Sequence, residues 1–181
     1  MRLLLAHNAD AHVRDKFGNT PLHYAANHGR LDVSQILVTE CCAQVNSRTD
    51  HGSTPLLLAS EFGTPDVVQF LLDHNADMNV HDNDGDNPLH CAALGGRLEI
   101  LRLLLELNVD VNSRNEQGLT PLHQAAVGHD SDEGNPDIVR LLLDHGADAQ
   151  LRDLSGKTAS EVSRGPKQQE IVQLLSQHAA V

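Results

Sequence analysis

The sequence predicts an all-α fold, a solenoid of stacked helix-turn-helix repeats joined by hairpin-like loops. One observation is a recurring Thr/Asn-Pro-Leu motif, whose prolines are spaced 34, 33 and 33 residues apart. Another is a glycine two residues before each copy of the motif, and a third is an apolar run after it. A period near 33 residues is typical of repeat architectures. One repeat of this size cannot bury its own apolar face, so neighbouring repeats must stack. The prolines are Pro21, Pro55, Pro88 and Pro121.

The motif predicts the start of a first helix in each repeat. Thr20 or its equivalent can cap the helix, and Pro at the first helical position costs nothing because that N–H has no helical partner. Pairs of small residues such as Ala25 and Ala26 follow, which let neighbouring helices approach closely. Each first helix is then expected to end at a glycine, namely Gly29, Gly63 or Gly96.

The apolar run predicts a second helix with i, i+3, i+4 spacing. In three repeats we expect this helix to begin with a proline: Pro65, Pro136 or Pro166. The first repeat has one extra residue between Val33 and Gln44, which should distort the end of its second helix. The glycine before each motif predicts a hairpin-like turn with positive φ.

The period, the Thr-Pro-Leu-His form of the motif, the glycine turn and a closing Gly146-Ala147-Asp148 together resemble the ankyrin repeat. The resemblance covers essentially the whole chain and implies about five repeats. In the second repeat, Leu57 replaces the usual histidine. The predicted divisions are a partial preceding repeat at 1–14, repeats at 15–48, 49–81, 82–114 and 115–152 (with an insertion near 129–134), and a C-terminal capping repeat at 153–181.

The composition and charge of the chain disfavour some classes of partner and some locations. The 181-residue chain has 13 Lys plus Arg against 25 Asp plus Glu, a formal charge of -12. This charge disfavours nucleic acid and anionic membranes as partners, because cationic surface supplies much of that affinity. We expect no signal peptide, the sequence has no membrane-length apolar run, and the three cysteines make no disulfide framework. We therefore expect an intracellular monomer, cytoplasmic or nuclear.

Candidate catalytic and metal-binding residues are explained by the repeat. Most of the twelve histidines occupy repeating positions, such as His23 in the motif and His74 in the closing turn. The Cys41-Cys42 pair and Cys91 lack the spacing of zinc ligands. Neither a phosphate-binding glycine loop nor a nucleophile elbow is found. We predict a non-enzyme with no cofactor and no metal.

The resemblance implies that hairpin tips and first helices line a concave groove for a partner protein. We expect Lys or Arg of the partner to face the acidic middle repeats, and an apolar residue to lie near Phe17, Tyr24 and Phe62. The alternatives are that Tyr24 and Phe62 merely pack between adjacent helices and that the acidic face is merely solvated. The candidate residues are Lys16, Phe17, Tyr24, Asn27, His28, Asp50, His51, Leu58, Glu61, Phe62, Asn83, Asp84, Asp86, Cys91, Leu94, Glu116, Gln117, Gln124 and Val127.

We predict that the chain is part of a scaffold, adaptor or regulatory protein, and two other functions stay open. It could be the targeting or regulatory domain of a larger enzyme. It could also be a substrate, because Asn46, Asn79 and Asn112 resemble ankyrin asparagines that are modified by an iron- and 2-oxoglutarate-dependent hydroxylase. The structural alternative is that each asparagine bonds to its own hairpin backbone.

Overall fold

The computed structural model describes residues 10–128 and 134–178, and within them it contains ten α-helices, one π-helical segment and no strands. The predicted all-α repeat fold is confirmed. The chain divides into two compact units, unit 1 (Met1–Asn83) and unit 2 (Asp84–Val181). None of the helices in the described parts of the chain is long and apolar enough to span a membrane.

Unit 1 holds two successive helix pairs. The first pair is α1 (Pro21–Asn27) and α2 (Leu31–Gln35), the latter continued by a π-helical segment (Ile36–Glu40); the second is α3 (Pro55–Phe62) and α4 (Pro65–Asp73). First helix packs on first helix, α1 on α3, and second on second, α2 on α4. The core between them is aliphatic, with Leu22, Leu37, Leu56 and Leu71 fully buried.

Unit 2 repeats this arrangement. Its helices are α5 (Pro88–Leu94), α6 (Leu98–Glu106), α7 (Pro121–Val127), α8 (Pro136–Asp144), α9 (Ala159–Val162) and α10 (Gln168–His178). First helices α5, α7 and α9 pack in succession, as do second helices α6, α8 and α10. Because α10 begins at Gln168, the prediction that Pro166 opens this helix is wrong; Pro166 lies in the preceding turn.

The first helices begin at the motif, and the motif histidine hydrogen-bonds both to the residue that precedes the helix and to the next hairpin. The Thr120 backbone N–H donates to His123 Nδ1 (3.2 Å), and His123 Nε2 donates to the Lys157 carbonyl in the next hairpin (3.1 Å). In unit 1, the Thr20 backbone N–H donates in the same way to His23 Nδ1, and we call this arrangement of threonine and histidine the histidine box. Burial lowers the pKa of both imidazoles, so the neutral form is favoured. Leu57 instead is a 2% exposed core residue.

Two kinds of turn connect the helices of a pair. Gly29 and Gly96 have φ of +62° and +69°, and each is followed by Arg-Leu. Gly63 precedes Thr64-Pro65 instead and has a φ of -83°. The residue before proline must be extended, and Thr64 is (φ -128°, ψ 155°). A Cβ on Gly63 would meet the carbonyl oxygens of Ala26 and Ala59 at 2.7 Å, so this turn needs glycine for close approach.

The extra residue of the first repeat is absorbed as a π-helical turn, which confirms the predicted distortion. The Cys41 N–H donates to the Ile36 carbonyl five residues back (3.2 Å). Cys42 then takes the left-handed position that ends the helix, with φ of 54°. Asn75 and Asn108 occupy this position elsewhere, with φ of 64° and 59°.

Some sequence-based predictions fall wholly or partly outside the described residues. Only 10–14 of the partial repeat at 1–14 is described, and the insertion near 129–134 is described only at Gly134. The assigned repeat boundaries and the number of repeats remain predictions.

Candidate protein-binding surface

The hairpin tips are built by side-chain caps on the turn backbone. In unit 1, Asp15 Oδ1 accepts from the N–H groups of Phe17 (2.9 Å) and Asn19 (2.8 Å), and Gly18 supplies the positive φ of 80°. In unit 2, Asn115 Oδ1 accepts from Gln117 (3.1 Å) and Leu119 (2.9 Å) in the same way. Each tip therefore has a fixed backbone.

Successive tips are tied to one another within each unit. In unit 1, the Asp50 N–H donates to the Phe17 carbonyl (3.0 Å) and the Asn83 N–H to the His51 carbonyl (3.1 Å). In unit 2, the Glu116 N–H donates to the Asp84 carbonyl at 2.9 Å. Arginines strengthen the links, because Arg14 donates to the Arg48 carbonyl (2.7 Å), Arg48 to the His81 carbonyl, and Arg114 to the Arg152 carbonyl.

Three of the four aromatic residues are exposed, and all three lie on the tips and first helices of unit 1. Phe17 is 48% exposed, Tyr24 51% and Phe62 36%. The Lys16 ammonium lies 4.8 Å from the centre of the Phe17 ring. The alternative in which Tyr24 and Phe62 merely pack between adjacent helices does not describe Tyr24, half of which is exposed.

Tyr24 is held by a hydrogen bond to the tip. Its hydroxyl donates to Asp15 Oδ2 at 2.7 Å. This bond is the main reason that the pKa of Asp15 is lowered, and the same bond raises the pKa of Tyr24. The aromatic ring of Tyr24 is thus oriented by an ionised carboxylate while about half of the residue stays exposed.

The other candidates of unit 1 are graded in exposure. His28 lies at the end of α1, where its Nδ1 hydrogen-bonds to the Tyr24 carbonyl (2.9 Å). Lys16, His28, Asp50, His51 and Asn83 are exposed, whereas Asn27, Leu58 and Glu61 are half-buried.

In unit 2 two predicted contact residues are buried. Cys91 is only 5% exposed and Gln124 9%. Both stand at the position of Tyr24 in their first helices, but α5, α7 and α9 pack closely and the Cys91 side chain is short. We therefore correct the prediction that Cys91 and Gln124 contact a partner. The remaining candidates are exposed (Asp84, Glu116, Gln117) or half-buried (Asp86, Leu94, Val127).

Gln124 has a supporting role instead. Its Nε2 lies 3.4 Å from Asp86 Oδ2, and Asn115 Nδ2 donates to Asp86 Oδ1 at 2.8 Å. The two amides orient the Asp86 carboxylate at the base of the hairpin. Gln124 therefore acts on this surface through Asp86.

Two of the three candidate hydroxylation sites, Asn46 and Asn112, are hydrogen-bonded to the next closing turn. Asn46 Nδ2 donates to the Asn75 carbonyl (2.9 Å), and Asn46 Oδ1 accepts from the Asp77 N–H (2.9 Å). Asn112 makes the same pair of bonds with Gly146 and Asp148. The expectation that these asparagines bond to their own hairpin is therefore wrong for Asn46 and Asn112. Asn79 is exposed, and its N–H donates to Asp77 Oδ1.

Sequence reasoning missed the residues that cap the tips. Asp15, Asn115 and Asp153 all lie three residues before a hairpin glycine and accept backbone N–H groups two and four residues on. An Asp, Asn or Thr at that fixed offset was the available signal. Among the described residues, no three His, Cys, Asp or Glu side chains are grouped so as to hold a metal ion.

The fold and the surface define an all-α repeat protein with exposed residues on its hairpin tips and first helices. The family model described as ankyrin repeats (3 copies) matches residues 1–82 and again 74–153. The chain therefore belongs to the ankyrin-repeat family, whose repeats are generally protein–protein interaction modules. No curated protein matches the chain significantly in sequence.

Proposed function

We propose that the chain binds a partner protein through its hairpin tips and first helices, as a module of a scaffold, adaptor or regulatory protein. This proposal rests on the exposure of Phe17, Tyr24 and Phe62, which all lie on the tips and first helices of unit 1. Interface aromatics are frequent hot spots, whose truncation often costs ~2 kcal/mol or more. The proposal assigns no catalytic step to the chain and places it in the cytoplasm or nucleus.

The rigidity of the tips supports a binding role. Their backbone is fixed by side-chain caps, by bonds between tips and by arginine–carbonyl links. A surface that is already ordered loses little conformational entropy on binding, so more of the contact energy becomes affinity. The aromatic anchors can then act without a folding step.

Charge defines the partner further. The unit 1 surface includes the carboxylates of Asp50 and Glu61, and the unit 2 surface includes Asp84, Asp86 and Glu116. A partner segment with Lys or Arg would be attracted to either unit, and screening by salt should slow its association. We expect Lys or Arg next to an apolar anchor residue.

A comparative pull-down from a lysate of the native host, read by mass spectrometry, tests the proposal. The baits are the unchanged chain, the double variant Glu61→Lys/Phe62→Ala, and the matched control Glu106→Lys/Leu107→Ala. The control also alters an acid and an adjacent exposed apolar residue at a helix end, with Leu107 41% exposed, but on a second helix.

The expected result is a protein captured by the unchanged chain and by the control but lost by the Glu61/Phe62 variant. Equal capture by all three baits would remove the tips and first helices as the binding surface. Circular dichroism and thermal melts of the three baits establish that they are equally folded.

Asparagine hydroxylation is a second candidate for Asn46, an exposed residue that is hydrogen-bonded to the next closing turn. Intact-mass analysis of protein from the native host tests it. An added oxygen located at Asn46 is expected, and an unmodified mass would remove the idea.

A further inference from the structure

A groove of about 540 Å³ lies between the second helices of unit 1, away from the tips. We call it the second-helix groove. Its volume lies in the range of small binding sites. It is lined by Asp32, Gln35, Ile36, Thr39, Glu40, Phe70 and His74.

The floor of the groove is apolar and only partly covered. Ile36 and Phe70, one from each helix, are half-buried. The rings of Phe70 and His74 are in contact, with centroids 4.2 Å apart, and His74 Nδ1 is bonded to the Phe70 carbonyl (2.8 Å). The aromatic side of the groove is therefore held in place before any partner arrives.

The π-helical segment forms the opposite wall. It begins at Ile36, and within it Thr39 Oγ1 donates to the Gln35 carbonyl (2.8 Å). The extra residue makes this wall unlike the other second helices that the structure describes, and π-turns inside helices are frequent at functional positions.

The charge of these helices differs between the units at one repeating position. In unit 2, Arg102 and Arg140 stand three residues after an acid and form ion pairs with Glu99 (3.9 Å) and Asp137 (3.5 Å). In unit 1, Gln35 and Gln69 replace both arginines. Between residues 31 and 83 the sequence has one Lys or Arg, Arg48, against eight Asp and Glu.

Asp32, which lines the groove, has a partner just before residues 31–83, because Arg30 Nε lies 3.5 Å from the Asp32 carboxylate. Both side chains are more than half exposed, at 61% and 70%, so water and salt weaken the pair. A cationic ligand can compete with such a pair.

We propose that the second-helix groove binds a cationic amphipathic helix of a partner protein. One large apolar side chain of that helix lies on Ile36 and Phe70, and Lys or Arg residues on either side face Asp32 and Glu40. This is the helix-in-groove mode, in which apolar residues anchor and flanking charges orient. The surface is separate from the tips and first helices, so it stands or falls independently of the proposed function.

The first test uses a defined probe, an amidated peptide of about 14 residues made of Lys, Ala and Leu with Leu along one helical face. It is titrated into the isotope-labelled full chain at physiological salt and followed by NMR. We expect the largest shift changes at Ile36, Thr39 and Phe70. We also expect at least ~10-fold weaker binding of a matched peptide with Ser for Leu. No binding, equal binding of the Ser peptide, or shifts concentrated at tips such as Asp50 would overturn the proposal.

The second test transplants the charge pattern of unit 2. The variant Gln35→Arg/Gln69→Arg places arginines three residues after Asp32 and Asp66, as at Arg102 and Arg140, and should fold normally. We expect it to bind the peptide at least ~10-fold more weakly. The matched control Arg102→Gln/Arg140→Gln should bind like the unchanged chain. Unchanged affinity of the first variant, or equal loss in both, would contradict the assignment.

Discussion

Units 1 and 2 are made of the same helix pairs but leave different side chains accessible. At the shared first-helix position, Tyr24 of unit 1 is 51% exposed and Leu58 is half-buried, whereas Cys91 and Gln124 of unit 2 are 5% and 9% exposed. On the second helices, Gln35 and Gln69 of unit 1 stand where unit 2 has the ion-paired Arg102 and Arg140. Unit 1 combines exposed aromatic rings with an excess of acidic over basic residues between positions 31 and 83, while Arg102 and Arg140 of unit 2 are each paired with an acid.

This contrast teaches that the repeat and its surface chemistry are separable. Turn glycines, capping residues and core leucines set the backbone in both units. The positions between them are free to carry an anchor, a supporting amide or an ion pair. A binding function can therefore be concentrated in one unit while its neighbour serves mainly as stable framework.

The largest effect is expected where a turn has no room for a Cβ. Gly63→Ala in unit 1 should destabilise the chain by about 3 kcal/mol, because the new Cβ meets two backbone carbonyls at 2.7 Å. Gly146→Ala in unit 2, with φ of +85° and open space around it, should cost only about 1 kcal/mol. Urea unfolding measures both. Equal losses would show that close approach does not distinguish these turns.

The next effect concerns pH and the histidine box. Since burial lowers the pKa of His23 and His123, the unfolded chain binds protons more readily than the folded one as pH falls below about 6.5. The two neutral histidines therefore contribute fully to the free energy of unfolding above about pH 6.5. This contribution is lost as pH falls towards the pKa values of these histidines in the folded chain.

His123→Leu copies the arrangement at Leu57. It should cost about 1–2 kcal/mol at pH 7.5, because the Thr120 N–H loses its acceptor. It should also reduce the stability loss between pH 7.5 and 5.5, because a buried histidine whose pKa is lowered has been removed. Urea titrations at both pH values measure this. A variant as pH-sensitive as the unchanged chain would contradict the role given to His123.

A smaller effect, of opposite sign, is expected at the end of the π-helical segment. Cys42→Gly should stabilise the chain by about 1 kcal/mol, since φ of 54° strains a residue with a Cβ. Asn75→Gly at the equivalent position should change stability less, because asparagine tolerates this conformation. Thermal melts of both variants measure the difference. Destabilisation by Cys42→Gly would mean that the cysteine makes a stabilising contact.

The smallest expected effect on stability concerns the ion pairs on the second helices of units 1 and 2. Arg140→Gln removes the exposed pair with Asp137 and should cost about 0.3 kcal/mol, a loss that disappears in high salt. Gln69→Arg should add a similar amount in unit 1 by pairing with Asp66. Melting temperatures at low and high salt measure both. Losses that persist at high salt would point to packing of the Arg140 stem instead.

Most of the backbone was predictable from the sequence because each turn and cap uses a residue with a strong local preference. Gly18 at positive φ, Pro21 at the first helical position and the extra residue before Gln44 are of this kind. The exception at Pro166 arose because proline is equally suited to a turn before a helix.

The surface was less predictable, because exposure depends on what neighbouring helices cover. The periodic pattern places Tyr24, Cys91 and Gln124 at one position, and only the three-dimensional packing separates the open tyrosine from the buried pair. The hydrogen bonds between Asn46 and the Asn75–Asp77 turn likewise join residues about thirty positions apart, which no local preference encodes.

The central claim is that unit 1 presents the partner-binding surface through its exposed aromatics. Site-specific photocrosslinking tests it most directly, with benzoylphenylalanine placed singly at positions 24, 62 and 107 of the full chain in an extract of the native host. Leu107 of unit 2 is the control, because it is also apolar and 41% exposed. We predict that one partner protein is crosslinked from positions 24 and 62 and is not crosslinked from 107. Crosslinking of that protein from 107 alone, or equally from all three positions, would contradict the account.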